Sequence, residues 1–393
     1  MHCEAFAQGR CRSCTLLPVP HGRQVADKER AVRALVADAV AATASSHRHD
    51  AVGPVWDEPS VGVSSHFRNK AKMVVGATVD APTLGITDAG GQGVDLQGCP
   101  LYEDAITQAL PVIAAFITRA HLVPYDVPSR TGELKYVIVT SAPTGELMVR
   151  FVMRSTEAHA RIKKHLGWLR EQLPHLVVAT LNVLPEHKAV LEGERELILT
   201  EQATLPLHLG EVTLHVGARS FFQTNTAMAR ELYACVRAWV SDVQPRTVWD
   251  LYCGVGGFAL HCAAPGRAVV GVEQSAEAVD AARSAAAEAA AAGVPGMDSV
   301  TFVAHDATTW VSTQQGPDLV IVNPPRRGIG EELASWLEAS AVRYVVYSSC
   351  NATTLARDLK AMPSLRPTRA RLVDMFPHTS HYEVVTLLER APR

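Results

Sequence analysis

Short runs of alternating apolar and polar residues, cut by Gly, Pro and Asp, recur from about Val61 to Leu214, as in Tyr136 to Thr140 and Leu147 to Met153. They predict a strand-rich α+β region. Ahead of them, Lys28 to Ala44 carries the apolar period of an amphipathic helix, and the polar stretch that follows it to Pro59 predicts a loop. Past Phe221 the pattern changes. A helix over Thr226 to Ser241 leads into a strand from Thr247 to Tyr252, a glycine turn and a second strand from Ala268 to Glu273. An alanine-rich helix, Ala276 to Ala292, then precedes a strand from Val300 to Ala304, and Leu319 to Val322 and Tyr344 to Tyr347 supply two more apolar strands. Strands alternating with helices predict a doubly wound, mainly parallel sheet whose ligands sit at the carboxyl ends of its strands. The expected organisation is an α+β domain over 1–215 followed by an α/β domain over 216–393.

With 393 residues, 47% of them hydrophobic, the chain can bury two or three cores. It has no run of eighteen apolar residues and no leader-like N-terminus, so a cytoplasmic location without membrane contact is expected, with no obligate protein partner. A net charge of −3 gives no general basic field. Any contact with nucleic acid must come from local patches. One candidate runs from Ser65 to Met73, where His66, Arg68, Lys70 and Lys72 surround Phe67 as a single-strand surface would. Another combines Arg154 with Arg161, Lys163, Lys164 and His165. The competing reading of both is an ordinary solvated face. The eight cysteines without an export signal point to metal binding, catalysis or burial rather than disulfides. Cys3, Cys11 and Cys14 crowd the start, and Cys99 precedes Pro100.

Three segments carry chemistry. In Asp250 to Phe258 the glycines allow a tight turn and close approach of backbone to a ligand, and Glu273 at the next strand end can accept hydrogen bonds from ribose hydroxyls. Dinucleotide binding competes, but the glycine pattern departs from G-x-G-x-x-G, and together with the segments that follow S-adenosylmethionine is the better choice. The second segment, Asn323-Pro324-Pro325-Arg326-Arg327-Gly328, follows an apolar strand. A similar corner serves methylation of exocyclic amino groups, where an aromatic residue stacks on the base, and Arg326 disfavours that alternative. The third segment is Tyr347 to Thr354 with Cys350, joined later in the chain by Asp374 to Glu383. A cysteine beyond a buried strand is usually a core residue. A polar cluster ending in Glu383, inside what reads as the apolar strand Met375 to Leu388, calls for a reason. Methylation of carbon 5 of a uracil supplies one. The carbon is too weak a nucleophile until a thiolate adds to carbon 6, and a base must afterwards remove its proton. Cys350 and Glu383 fit those two roles.

Asn-Pro-Pro-Arg-x-Gly, Tyr-x-Ser-Cys-Asn-x-x-Thr and Asp-Met-Phe-Pro-x-Thr-x-His-x-Glu, in that order, resemble the RNA 5-methyluridine methyltransferase family. The resemblance implies a Rossmann-like methyltransferase domain, Cys350 as nucleophile, Glu383 as base, and Gln223 on the methyl donor with Tyr252, Glu273 and Asn323. Many relatives have Asp where Asn323 stands, so no negative charge is available there. The start of the chain, with Cys99, is similar to a ribosomal RNA branch of the family. That likeness implies a [4Fe-4S] cluster on Cys3, Cys11, Cys14 and Cys99 in an N-terminal RNA-binding domain, and a uridine of 23S ribosomal RNA as substrate. Zinc on the same four thiolates stays open, as do a transfer-RNA substrate and a non-catalytic RNA-binding assembly role.

Overall fold

A computed structural model of the chain describes residues 1–47, 53–88, 93–187 and 190–391. It divides into two compact units that are interleaved along the sequence: 1–14, 63–208 and 217–219 form one, and 15–62, 209–216 and 220–393 form the other. The boundary expected at 215/216 therefore does not coincide with the units, because 15–62 is built into the C-terminal one.

In the first unit, a seven-stranded sheet runs in the order Gly93–Asp95, Pro82–Thr87, Lys70–Ala77, Leu134–Ser141, Leu147–Met153, Leu176–Val183, Arg195–Ile198. All neighbours are antiparallel except Leu147–Met153 and Leu176–Val183. Alternate residues such as Met73, Val75, Val137 and Phe151 join Ile113 and Phe116 of the helix Asp104–Arg119 and Leu169 of the helix His159–Gln172 in one core. The period-two alternation shows in Lys70–Ala77, whereas Leu147–Met153 is buried on both faces, and Ile138, Val152 and Leu184 form a small second cluster.

The second unit is an eight-stranded sheet ordered Val55–Trp56, Leu365–Val373, Glu383–Arg390, Tyr344–Ser349, Leu319–Val322, Thr247–Leu251, Ala268–Glu273, Val300–Ala304. Its body is parallel, but Glu383–Arg390 runs antiparallel to both of its neighbours, so the sheet is mixed. Because the strands ending at Leu251, Glu273, Val322 and Ser349 are parallel, their carboxyl ends share one edge.

Two expectations are corrected. The N-terminal helix spans His21–His47, seven residues longer at its start than the apolar pattern indicates. Its stripe Val25, Val32, Val36 and Ala39 packs with Leu355 and Leu359 in the core of the second unit, while the first turns are polar. The loop expected after it falls partly outside the described residues. Asp374 to Tyr382 lies outside the regular strand, which begins only at Glu383. Among the described residues, no helix is long and apolar enough to cross a membrane.

Candidate active site

The strand Thr247–Leu251 ends in Tyr252, whose φ of 64° is left-handed, followed by Gly254 at φ 55° and Gly256 at φ 86°. At Gly256 a Cβ would stand 2.9 Å from the Phe302 ring, so only glycine fits under this turn. At Gly254 a Cβ would meet no atom within 4 Å. Glu273, half-buried at the end of the next strand, accepts the Gly254 N–H through Oε2 at 3.2 Å and the Ser275 N–H through Oε1 at 2.9 Å. Its carboxylate is thus fixed beside the turn. Beneath it, fully buried Asp250 accepts the Ala259 N–H at 2.9 Å through Oδ2, while Oδ1 has no partner among the described residues. Burial pushes this carboxyl up to about 8. A turn that leaves space next to Gly254, a ribose-reaching carboxylate and an orphaned buried acid together suit an aminoacyl nucleoside.

Asn323 follows the adjacent strand Leu319–Val322, and the turn after it is locked to the cysteine segment. Asn351 Nδ2 and Thr354 Oγ1 donate to the Arg326 carbonyl at 3.1 and 3.2 Å. Buried Asp358 accepts the Tyr347 hydroxyl at 2.7 Å and the Ile329 N–H at 2.9 Å. At Gly328, with φ 84°, a Cβ would lie 2.3 Å from Asp358 Oδ2, which explains the glycine in this motif.

Cys350 leaves the strand Tyr344–Ser349 half-buried, just before the Asn351 cap of the helix Ala352–Ala361. Its thiol is held above its ordinary range by burial and then by the charge of Glu383, while the Arg326 guanidinium acts in the opposite direction through charge and a hydrogen bond. Glu383 is 4% exposed. Burial raises its carboxyl to about 8, against the Ser348 hydroxyl, the Gln223 amide and the Arg326 charge. Ser348 Oγ donates to Glu383 Oε2 at 3.4 Å. Tyr382 adjoins both, its hydroxyl accepting the Ala352 N–H at 3.4 Å.

The fold thus gathers Tyr252, Glu273, Asn323 and Cys350 at one sheet edge, and Gln223 is hydrogen-bonded to Glu383. Sequence reasoning missed the part played by Arg326, noticed only as a misfit for base stacking, and that of Ser348. The charge of Arg326 next to a cysteine motif was the available signal.

Cys3, Cys11, Cys14 and Cys99 belong to the other unit, where all four line one cavity of about 640 Å³ together with Arg68. None is in a disulfide. Cys14 is pushed up to about 11 by burial and then by Cys99, Cys11 and Cys3. Among the described residues no group of three His, Cys, Asp or Glu side chains is arranged to hold a metal ion. Of the basic patches, Lys163 and Lys164 stay exposed. Phe67 is 5% exposed and cannot stack on a base. Arg154 and Arg161 are paired with Glu133 and Glu157.

The parallel sheet, its glycine turn and the carboxylate of Glu273 define an S-adenosylmethionine-dependent methyltransferase. Residues 234–344 match the family described as methyltransferase small domain, and 311–391 match tRNA (Uracil-5-)-methyltransferase. The fold is shared with the crystal structure of Pyrococcus abyssi tRNA (uracil-54, C5)-methyltransferase in complex with S-adenosyl-L-homocysteine. The TM-score is 0.74 at 24% identity, covering 95% of this chain and 85% of that one. Two proteins named 23S rRNA (uracil(747)-C(5))-methyltransferase RlmC, from Yersinia pseudotuberculosis serotype I (strain IP32953) and Yersinia pestis (strain Pestoides F), are each 45% identical over 390 residues, covering 99% of both chains. The chain belongs to the RlmC family of RNA uracil-C5 methyltransferases.

Proposed function

We propose that this enzyme transfers the methyl group of S-adenosylmethionine to carbon 5 of a uridine in 23S ribosomal RNA, as its relatives' names state of them, with Cys350 as nucleophile and Glu383 as base. The observation that carries the roles is the meeting of Cys350, Arg326 and buried Glu383 at the sheet edge that bears the glycine turn. Arg326 stabilises the thiolate that adds to carbon 6, and the electron pair of the 5,6 double bond moves into an enolate at oxygen 4. Carbon 5 then attacks the sulfonium methyl, releasing the neutral thioether. Glu383, once deprotonated, takes the proton from carbon 5. The electrons of that C–H bond restore the double bond and expel the cysteine thiolate. S-Adenosylmethionine supplies the methyl group when bound, and Glu273, Tyr252, Asn323 and the Gly254 turn hold it, with Gln223 shared between donor and base. Phe221, 71% exposed and two residues before Gln223, offers a ring on which a neighbouring base of the unstacked loop can stack.

We infer further that Cys3, Cys11, Cys14 and Cys99 hold a [4Fe-4S] cluster within an RNA-binding N-terminal unit. Four free thiols around one cavity support a metal group held by four thiolates, as such a cluster requires. The cluster would be structural, shaping the surface around Arg68. A ribosomal RNA substrate supports a cytoplasmic location. The test is a map of 5-methyluridine in ribosomal and transfer RNA from cells with and without the gene. Loss of one 23S site, restored by the wild type but not by Cys350→Ala, is expected. Loss confined to transfer RNA would overturn the substrate, and full activity of Cys350→Ala would overturn the mechanism.

A further inference from the structure

The side of the helix His21–His47 that faces the second unit's core carries Val25, Val32, Val36 and Ala39, yet its first turns also hold the polar His21, Gln24 and Lys28. Gln24 and Lys28 are 1% and 5% exposed. Burying a lysine is costly unless it is paired, so a polar start to an apolar stripe needs a partner. That partner is the loop leading to Glu383. Lys28 Nζ donates to Asp374 Oδ1 at 2.6 Å and to the Phe376 carbonyl at 3.1 Å. His21 Nε2 meets Asp374 Oδ2 at 2.6 Å. Gln24 Oε1 accepts the His378 N–H at 2.8 Å, while its Nε2 donates to the carbonyls of Leu16 and Val19. The Leu16 N–H in turn donates to the His378 carbonyl at 2.9 Å.

These contacts fall on the segment between Val373 and Glu383, which are themselves register partners across the strand pair. The loop must leave and return at that pair, and it carries Tyr382, whose hydroxyl receives the Ala352 N–H next to Cys350. His378 is held at a left-handed φ of 64°, a conformation that persists only when its surroundings impose it. Asn225 fixes the loop from the other side, donating to the Met375 carbonyl at 3.2 Å, and it lies two residues from Gln223. These contacts fall on Asp374, Met375, Phe376 and His378, upstream of Tyr382 and Glu383 on the same loop.

We propose that His21, Gln24 and Lys28 are positioning residues for the proton-abstraction step, clamping the loop from Asp374 to Tyr382 so that Glu383 faces the carbon 5 proton of the adduct. The inference rests on the reading of Glu383 as the base. A carboxylate displaced by about an ångström can lose on the order of a hundredfold in rate. The earlier steps, thiolate addition and methyl transfer, depend on Cys350 and the donor site and are spared. A loosened clamp therefore stalls the enzyme after methylation, with the RNA still bonded to Cys350.

The experiment compares wild type, Lys28→Met, His21→Ala and Glu383→Gln, all full-length and as purified, on unmodified RNA spanning the target loop. It measures kcat, KM and the fraction of enzyme recovered as a denaturation-resistant RNA adduct. Lys28→Met is expected to lower kcat roughly ten- to a hundredfold, leave KM within about twofold and accumulate adduct. His21→Ala does the same more weakly, and Glu383→Gln accumulates the most. Lower activity in both clamp variants without adduct, beside an adduct in Glu383→Gln, would overturn the clamp while sparing the base. No adduct in Glu383→Gln would overturn the base assignment itself. Failure of both clamp variants to fold would also overturn the proposal, since the segment would then be a plain core element.

Discussion

Replacing Glu383 by Gln removes an acid that the fold holds up from its ordinary 4.5 to about 8 by burying it. A carboxyl whose folded value lies above its unfolded one binds its proton more tightly when folded. Its cost to stability is therefore absent below about pH 4.5, grows as pH rises and is complete above about pH 8. At about 1.36 kcal/mol per unit, the full cost is on the order of 5 kcal/mol, and the part that develops between pH 5.5 and pH 9 is about 3 kcal/mol. An isosteric amide carries no such cost. Asp250, also raised to about 8, titrates in both proteins and cancels in the comparison. Urea unfolding at pH 5.5 and pH 9 measures this. It is followed by the fluorescence of Trp249, Trp310 and Trp336, whose rings lie 4.6 and 5.9 Å apart in the second unit. Glu383→Gln should be only slightly more stable than wild type at the lower pH and clearly more stable at the higher one. A stability difference that does not change between the two would refute the buried, proton-holding carboxyl.

Gly328→Ala forces a Cβ to 2.3 Å from Asp358 Oδ2 at a left-handed φ, and should lower the urea midpoint by the equivalent of about 1–3 kcal/mol together with activity. Arg326→Gln withdraws the cation that opposes burial at Cys350, so alkylation of Cys350 by iodoacetamide at pH 7.5 should slow by roughly tenfold. An unchanged rate would remove Arg326 from the thiolate. Anaerobically purified protein should hold about four irons per chain with matching sulfide, and Cys14→Ser, at the buried member of the set, should lose them. Colourless, iron-free wild type would exclude the cluster.

How far the site could be read from sequence depended on whether a signal was local. The strands Ala268–Glu273 and Val300–Ala304 have the expected bounds because each is a short apolar run between turn residues. Since parallel neighbours end at one edge, Cys350 and the glycine turn are placed together by the sequence pattern alone. The start of the helix at His21 was not legible, because its buried side there is polar and matches a loop over three hundred residues away. Phe67 looked like a stacking ring because cations flank it, and only tertiary packing shows it buried. Arg326 reads as surface charge until the carbonyl bonds from Asn351 and Thr354 fold its turn against the cysteine.

The central claim is covalent catalysis at carbon 5 of a uridine by Cys350. It is tested most directly with a 23S RNA fragment carrying 5-fluorouridine at the target and S-adenosylmethionine. Fluorine stands where the proton must leave and cannot be abstracted by a base, so the methylated adduct has no way to eliminate. Mass spectrometry of the denatured complex should find one RNA, plus one methyl group, bonded to the peptide containing Cys350. Methyl transfer to ordinary RNA with no such bond to Cys350 from the fluorinated one would contradict the account.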